Sequence, residues 1–267
     1  MKGYISYFKT VLISSLQYKA AALAGIFTQF FWGFLQIFIY QAFYEGTGQA
    51  VPMDFNKLVT YVWLQQALLA VIYIRSKDES ITKSIKDGTV AYEMVRPYNL
   101  YIWWYIKCLA KRYAAVSLRA WAIILIALFL PEPYNLKLPA SIETFWVFAL
   151  ILFLGSLIVT AILVIIQTIT FFTYDEKGIS NLIFNLSELL SGMSLPLPLL
   201  PQIVQKICYI FPFWLIGDFP FRVFSGDILL SNGYKIILLQ TFWLGLLIIM
   251  GMLLLKYAMK KVYIQGG

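Results

Sequence analysis

The chain has 267 residues, with 21 Lys and Arg against 13 Asp and Glu, no His, two Cys, 61% hydrophobic residues and 13% charged ones. A soluble domain is about a quarter charged, so much of this surface must face something other than water, and a globular enzyme with a polar shell is excluded. Without His there is no imidazole base, no His metal ligand and no His-containing triad, and two distant Cys make neither a zinc cluster nor a disulfide framework.

Residues 1–19 set Tyr4, Ile5, Phe8, Val11, Leu12 and Leu16 at helical spacing among Lys2, Lys9 and Lys19. That pattern predicts an amphipathic helix in the membrane interface; the other reading is a helical extension of the first span. A cleaved signal peptide is not expected, because the first apolar stretch starts late, is too long and lacks a small-residue cleavage pattern. Crossing about 30 Å of hydrocarbon takes roughly 17–25 apolar residues. By that ruler six spans are predicted, at 21–43, 58–74, 113–130, 144–173, from 179 fading at 192–201, and 236–257. In the first, Gln29 and Gln36 stand seven apart and share a face. They are candidates for a substrate path or a subunit seam.

Between the second and third spans, in the stretch 76–100, Ser76 or Asp78 can cap a helix start, and Gly88 stands where its left-handed end is expected. Ile81 and Ile85 fall on one face, surrounded by Lys83, Lys86 and Asp87. Such a short helix is either a docking element for a soluble partner or an ordinary connector. Arg96-Pro97 then breaks the backbone, and Tyr101, Trp103, Trp104 and Tyr105 form an aromatic cluster of the membrane-interface kind. The third span carries Arg119 and is stopped by Pro131 and Pro133.

After the fourth span the turn 174–178 is either a second contact for that partner or a tight helical hairpin. On the fifth span Asn181, Asn185 and Glu188 lie at i, i+4 and i+7, on one face. Glu188 falls about 14 Å from the start of that helix, where a charge facing lipid would cost roughly 3 kcal/mol. It must face protein or water, as part of a substrate path, a subunit seam or a packing cluster; Arg119 is a partner by depth. Over 192–226 the chain stays apolar, yet Pro196, Pro198, Pro201, Pro212 and Pro220 forbid one continuous helix. Two half-helices, 202–210 and 213–224, dipping into the outer leaflet would hide their backbone from lipid, as an outer gate or as a plain lid.

With the segments assigned alternately to the two sides, fifteen Lys and Arg fall on one side and five on the other, Arg119 being within a span. The excess predicts both termini in the cytoplasm. The positive charge then reads as a topology signal and an anionic-lipid contact rather than a nucleic-acid surface. Cys108 and Cys208 fall on opposite sides, too far apart to bridge.

The string Ile85-Lys-Asp-Gly88-Thr-Val-Ala-Tyr-Glu-Met-Val-Arg96-Pro97-Tyr-Asn-Leu resembles the first cytoplasmic loop of type-2 ABC exporter permeases. The run Ser191-Gly192-Met-Ser-Leu-Pro196-Leu-Pro198-Leu-Leu-Pro201, followed by Phe211-Pro212-Phe213, Pro220 and Gly226, resembles their Gly/Pro-rich segment before the last span. The resemblance covers nearly the whole chain in span order. It implies an all-α membrane protein with a single permease domain over 1–267: an amino-terminal interfacial helix, six transmembrane helices, a cytoplasmic coupling helix and a re-entrant outer helical hairpin. It also implies dimerisation with a like or related permease in the cell membrane, above two ABC ATPase subunits. Ile81, Ile85, Lys86, Asp87, Gly88, Arg96 and Pro97 would be the ATPase-coupling residues, and Pro196, Pro198, Pro201 and Pro212 the outer gate. The chain lacks the acidic residues of a long outer loop that mark some members, which leaves the substrate class open.

No Gly-x-x-x-x-Gly-Lys-Ser/Thr phosphate loop occurs. ATP and Mg are therefore expected on a partner chain, and no cofactor, metal or catalytic residue on this one. An ion-coupled secondary transporter or channel is the competing class. It calls for several intramembrane charges and an internal inverted repeat, of which the chain offers one clear carboxylate and no evident repeat.

Overall fold

The computed structural model describes residues 2–17, 19–47, 51–74, 78–173 and 177–261. Among them are helices, turns and no strand. The chain order is α1 (Lys2–Ser15), α2 (Lys19–Thr47), α3 (Phe55–Ala67), α4 (Leu69–Ile72), α5 (Glu79–Lys86), α6 (Val90–Met94), α7 (Leu100–Leu128), α8 (Ile142–Thr173), α9 (Lys177–Leu190), α10 (Gln202–Cys208), α11 (Asp218–Phe224) and α12 (Leu230–Lys261). Three helices are long and apolar enough to cross a membrane unaided: α2 over Ala22–Gly46, α8 and α12.

The other three predicted spans differ in instructive ways. The second is broken at Leu68 into α3 and α4, and every residue from Leu58 to Ala67 is buried. Walled by protein rather than lipid, it keeps Thr60, Gln65 and Gln66 in its interior. The third begins not at 113 but at Leu100, because the Asn99 side chain accepts a hydrogen bond from the Ile102 amide and caps a helix that runs through the charged turn 107–112. The fifth, α9, has 14 residues, about 21 Å of helix, short of a full crossing by itself.

The centre of the bundle is α8, packed along α12 and against α7. Gly233 lets α12 approach, since a Cβ there would lie 2.9 Å from Val147. Gln240, buried in α12, donates to the carbonyls of Ile151 and Leu215 at 3.0 and 2.8 Å, binding α12 to α8 and to the turn Pro212–Leu215 together. Outward, α2 shows Phe27, Phe31, Trp32 and Phe38, and α12 shows Leu238, Phe242, Ile249 and Leu253. Such contiguous apolar faces suit lipid.

The helix α1 lies along the start of α7. Tyr7 stacks on Trp103 at 3.5 Å between centroids, Trp103 stacks on Tyr98 at 4.4 Å, and the Tyr4 hydroxyl accepts from the Asn99 amide. The aromatic cluster of the sequence thus fans out instead of forming one belt. Trp103 meets α1, Trp104 donates to Glu93 at 2.8 Å, Tyr105 donates to the Leu157 carbonyl at 2.8 Å, and Tyr101 lies over Gly251 of α12.

Candidate functional site

The loop helix α5 starts at Asp78, whose side chain accepts from the Ser80 amide and hydroxyl at 3.0 and 2.7 Å. Its end is Gly88, at φ +71°, a left-handed conformation that glycine adopts without penalty. Ser76, the other capping candidate, lies outside the described residues, as do 174–176 of the turn after α8.

The apolar face of α5 turns toward the bundle. Ile81 is 1% exposed and packs with Val90, Leu100, Trp104, Cys108 and Leu163, with Ile85 at the edge of the same cluster. The two isoleucines therefore hold the helix in place and do not present it to a partner. Amphipathicity identifies a buried face without saying which body buries it. What faces outward is Lys83, Asp87, Gly88 and Thr89, followed by Tyr92 at 73% exposure, Val95 at 83%, Arg96 and Pro97; Lys86 is half-buried. Tyr92 and Val95 were missed from sequence, although their i, i+3 spacing, from α6 to the residue that caps its end, was a signal.

Asp78 ties this loop to α7 and α8. Its buried carboxylate stands 2.9 Å from the Lys111 ammonium and 3.4 Å from that of Lys107, while Gln167 donates to its carbonyl at 3.0 Å. Burial alone would push the Asp78 carboxyl up, but Lys107, Lys111 and Ser80 outweigh it and hold the group below its ordinary value of 3.8. A depressed carboxylate stabilises above its unfolded value and loses that contribution as pH falls through the folded one. The anchor is therefore complete at neutral pH and weakens below about pH 4. Asparagine keeps the cap and removes the charge. Asp78→Asn is expected to speed amide exchange in α5 about fivefold at pH 7, as for a partly screened pair worth about 1 kcal/mol, and to abolish its acid dependence. Hydrogen exchange followed by mass spectrometry reads both.

Arg112, one of the fifteen basic residues that the sequence assigns to one side, is fully enclosed instead. Its Nη1 donates to the carbonyls of Ala70, Val71 and Tyr73 at 3.2, 3.2 and 2.8 Å, clasping the end of α4. A guanidinium at helix-terminal carbonyls satisfies acceptors the helix leaves open.

At the opposite end the Gly/Pro-rich segment folds as a bent hairpin. The helix α10 and the stretch 212–224 meet at 81°. Pro196 precedes a short 3-10 turn, Leu197–Leu199, containing Pro198; Pro201 immediately precedes α10, and Pro212 opens a second 3-10 turn, Pro212–Leu215. The second half-helix starts at Asp218 rather than 213, because Pro220 fits only a first turn, where its missing N–H costs nothing. Asp218, 0% exposed, accepts from the Leu197 amide at 3.0 Å, from Tyr61 at 3.4 Å and from Arg222 at 3.3 Å. Arg222 also donates to Asp227 at 2.7 Å, and Tyr61 donates to the Gly192 carbonyl at 2.9 Å. Gly192 has φ +76°, and a Cβ there would lie 2.7 Å from the Tyr61 hydroxyl and 2.9 Å from Asp218. Sequence reading missed Tyr61 and Asp218, which stand 157 residues apart; only the fold joins them.

The polar stripes separate. Gln29 and Gln36 turn into the bundle, Gln36 accepting from Gln66 at 3.1 Å. Asn181 and Asn185 lie on the outward face of α9, with Glu188 half-buried beside them. Arg119 packs its guanidinium against Gly25 of α2. Between α3–α4, α7 and α8 lies an apolar cavity of about 470 Å3, lined by residues including Leu64, Leu68, Val116, Ile124, Phe148 and Phe224. Among the described residues no three His, Cys, Asp or Glu side chains gather as metal ligands, and Cys108 and Cys208 are buried free thiols.

A family model described as ABC-2 family transporter protein matches residues 7–266. No curated protein matches the chain.

Proposed function

Because the chain belongs to the ABC-2 family of transporter proteins, a multi-pass membrane family of ABC permeases, we propose that it is the membrane half of an ATP-driven exporter. Two copies, or this chain and a related one, would form the path, with ATP and Mg on separate ATPase subunits below. On this reading α2, α3–α4, α7, α8, α9 with the segment after it, and α12 would make six crossings, and the Lys and Arg distribution would put both termini in the cytoplasm. The observation that carries the reading is the loop 78–99: rooted in the bundle through Asp78 and Ile81, and offering Lys83, Asp87, Gly88, Thr89, Tyr92, Val95, Arg96 and Pro97 outward.

A lever needs a rigid root and an accessible face, and this loop has both. Asn181 and Asn185, on the exposed face of α9, and the half-buried Glu188 beside them supply the seam or path. Gln29 and Gln36 act behind it, within the wall. The hairpin carrying Pro196, Pro198, Pro201 and Pro212 closes the outer end. The apolar cavity between α3–α4, α7 and α8 favours a hydrophobic or amphipathic cargo such as a lipid, peptide or antibiotic.

Expressed with the ATPase subunits of its own cell, the chain is expected to bring one down through detergent purification. It should then move cargo in liposomes only when ATP is supplied. Cargo movement by the chain alone, on a sodium or proton gradient, would overturn the assignment.

A further inference from the structure

We propose that the groove between the end of the loop and α12 binds the phosphate of an anionic phospholipid. The groove encloses about 380 Å3, and its lining includes Tyr98, Tyr101, Lys256, Met94, Met252 and Met259. Tyr101 is 3% exposed, yet its hydroxyl has no hydrogen-bond partner. A buried phenol without an acceptor is costly, and the groove is where an acceptor would sit. The ring reaches this position because Gly251 has no side chain: a Cβ there would lie 2.5 to 2.9 Å from the Tyr101 ring and hydroxyl. The Tyr98 hydroxyl is likewise buried, with the Glu93 carboxylate and the Arg96 guanidinium both close enough to act on it, Arg96 as a hydrogen-bond donor.

Lys256 lies five residues beyond Gly251, about 7.5 Å along α12, exposed and without an ion pair among the described residues. The groove lining contains no carboxylate. Two hydroxyl donors and an ammonium around one cavity suit a phosphate diester.

The rest of the lining argues for a lipid over a free anion. Met94, Met252, Leu255 and Met259 form an apolar wall, which continues onto the exposed Ile249, Met250 and Leu253 of α12. An inorganic phosphate would use only the donors, whereas an acylated one fills both halves. The depth fits as well, since Lys256, Lys260 and Lys261 end a helix long enough to cross the membrane, which is where headgroups lie.

Native mass spectrometry of the full chain in detergent, titrated with phosphatidylglycerol or phosphatidylcholine, tests this. Phosphatidylglycerol should be retained at least tenfold more tightly. Lys256→Gln should weaken it about tenfold, the effect of a charge-assisted bond. Tyr101→Phe, which removes only the oxygen, should weaken it about fivefold. Lys235→Gln, at the other end of the same helix, should leave it unchanged, and millimolar inorganic phosphate should not displace the lipid. Equal retention of the two lipids, wild-type retention in both groove variants, or displacement by phosphate would overturn the proposal.

Discussion

Replacing Asp218 by alanine is expected to lower the melting temperature of the detergent-purified chain by roughly 5–10 °C. The carboxylate is fully enclosed and joins three otherwise separate pieces: the Leu197 turn, Tyr61 of α3 and Arg222 of its own helix. Its loss strands the Leu197 amide inside the protein and deprives Arg222 of one of two carboxylates, although Asp227 remains. Breaking a buried charge pair from one side costs about 3–5 kcal/mol; the remaining partner argues for the lower figure, and about 3 kcal/mol converts to that temperature shift for a chain of this size. Asp218→Asn, which keeps an acceptor and the shape, should fall less than half as far. An alanine variant that melts with the wild type would mean that the hairpin is held elsewhere.

The second large effect concerns the outward face of the loop. Tyr92→Asp combined with Val95→Asp should leave melting within about 1 °C of wild type, because both side chains stand clear of the bundle. The same variant should reduce ATPase co-purification and ATP-dependent transport more than tenfold, as losing two central contacts of an interface does. Ile81→Asp should behave in the opposite order, destabilising the loop itself, since a carboxylate would then replace a side chain buried among Trp104, Leu163 and Val90. Full transport by the Tyr92/Val95 variant would place the ATPase contact on another surface.

What could be read from the residues alone follows from how local each signal is. The apolar windows of α2, α8 and α12 depend on near neighbours and emerged, although α12 starts at Leu230, before the predicted 236, and runs on to Lys261. So did the left-handed glycine after α5 and the proline-enforced bend after α10. The second and third spans were harder because surroundings, not composition, govern them. The α3 helix tolerates Gln65 and Gln66 since Met193 and Gln36 accept their hydrogen bonds, and α7 tolerates charges in its first turns since Asp78 accepts two of them. Arg112 looked like a surface charge, and Asp218 attracted no notice. Both act through partners distant in sequence, and a hydrophobic pattern carries no record of such pairs. The direction of Ile81 was equally hidden, because a stripe specifies burial without naming its neighbour.

The interruption at Leu68 makes the predicted second span a jointed rod. Its long arm is bolted to the 192–193 backbone through Tyr61 and Gln65, and its short stub is gripped by Arg112, the residue after the Lys111 that pairs with Asp78. In the proposed exporter a pull on the loop would arrive at the stub, and the hairpin would feel only what the joint passes on. Stiffening that elbow, or slackening it, would tune how faithfully one face of the bilayer reports to the other.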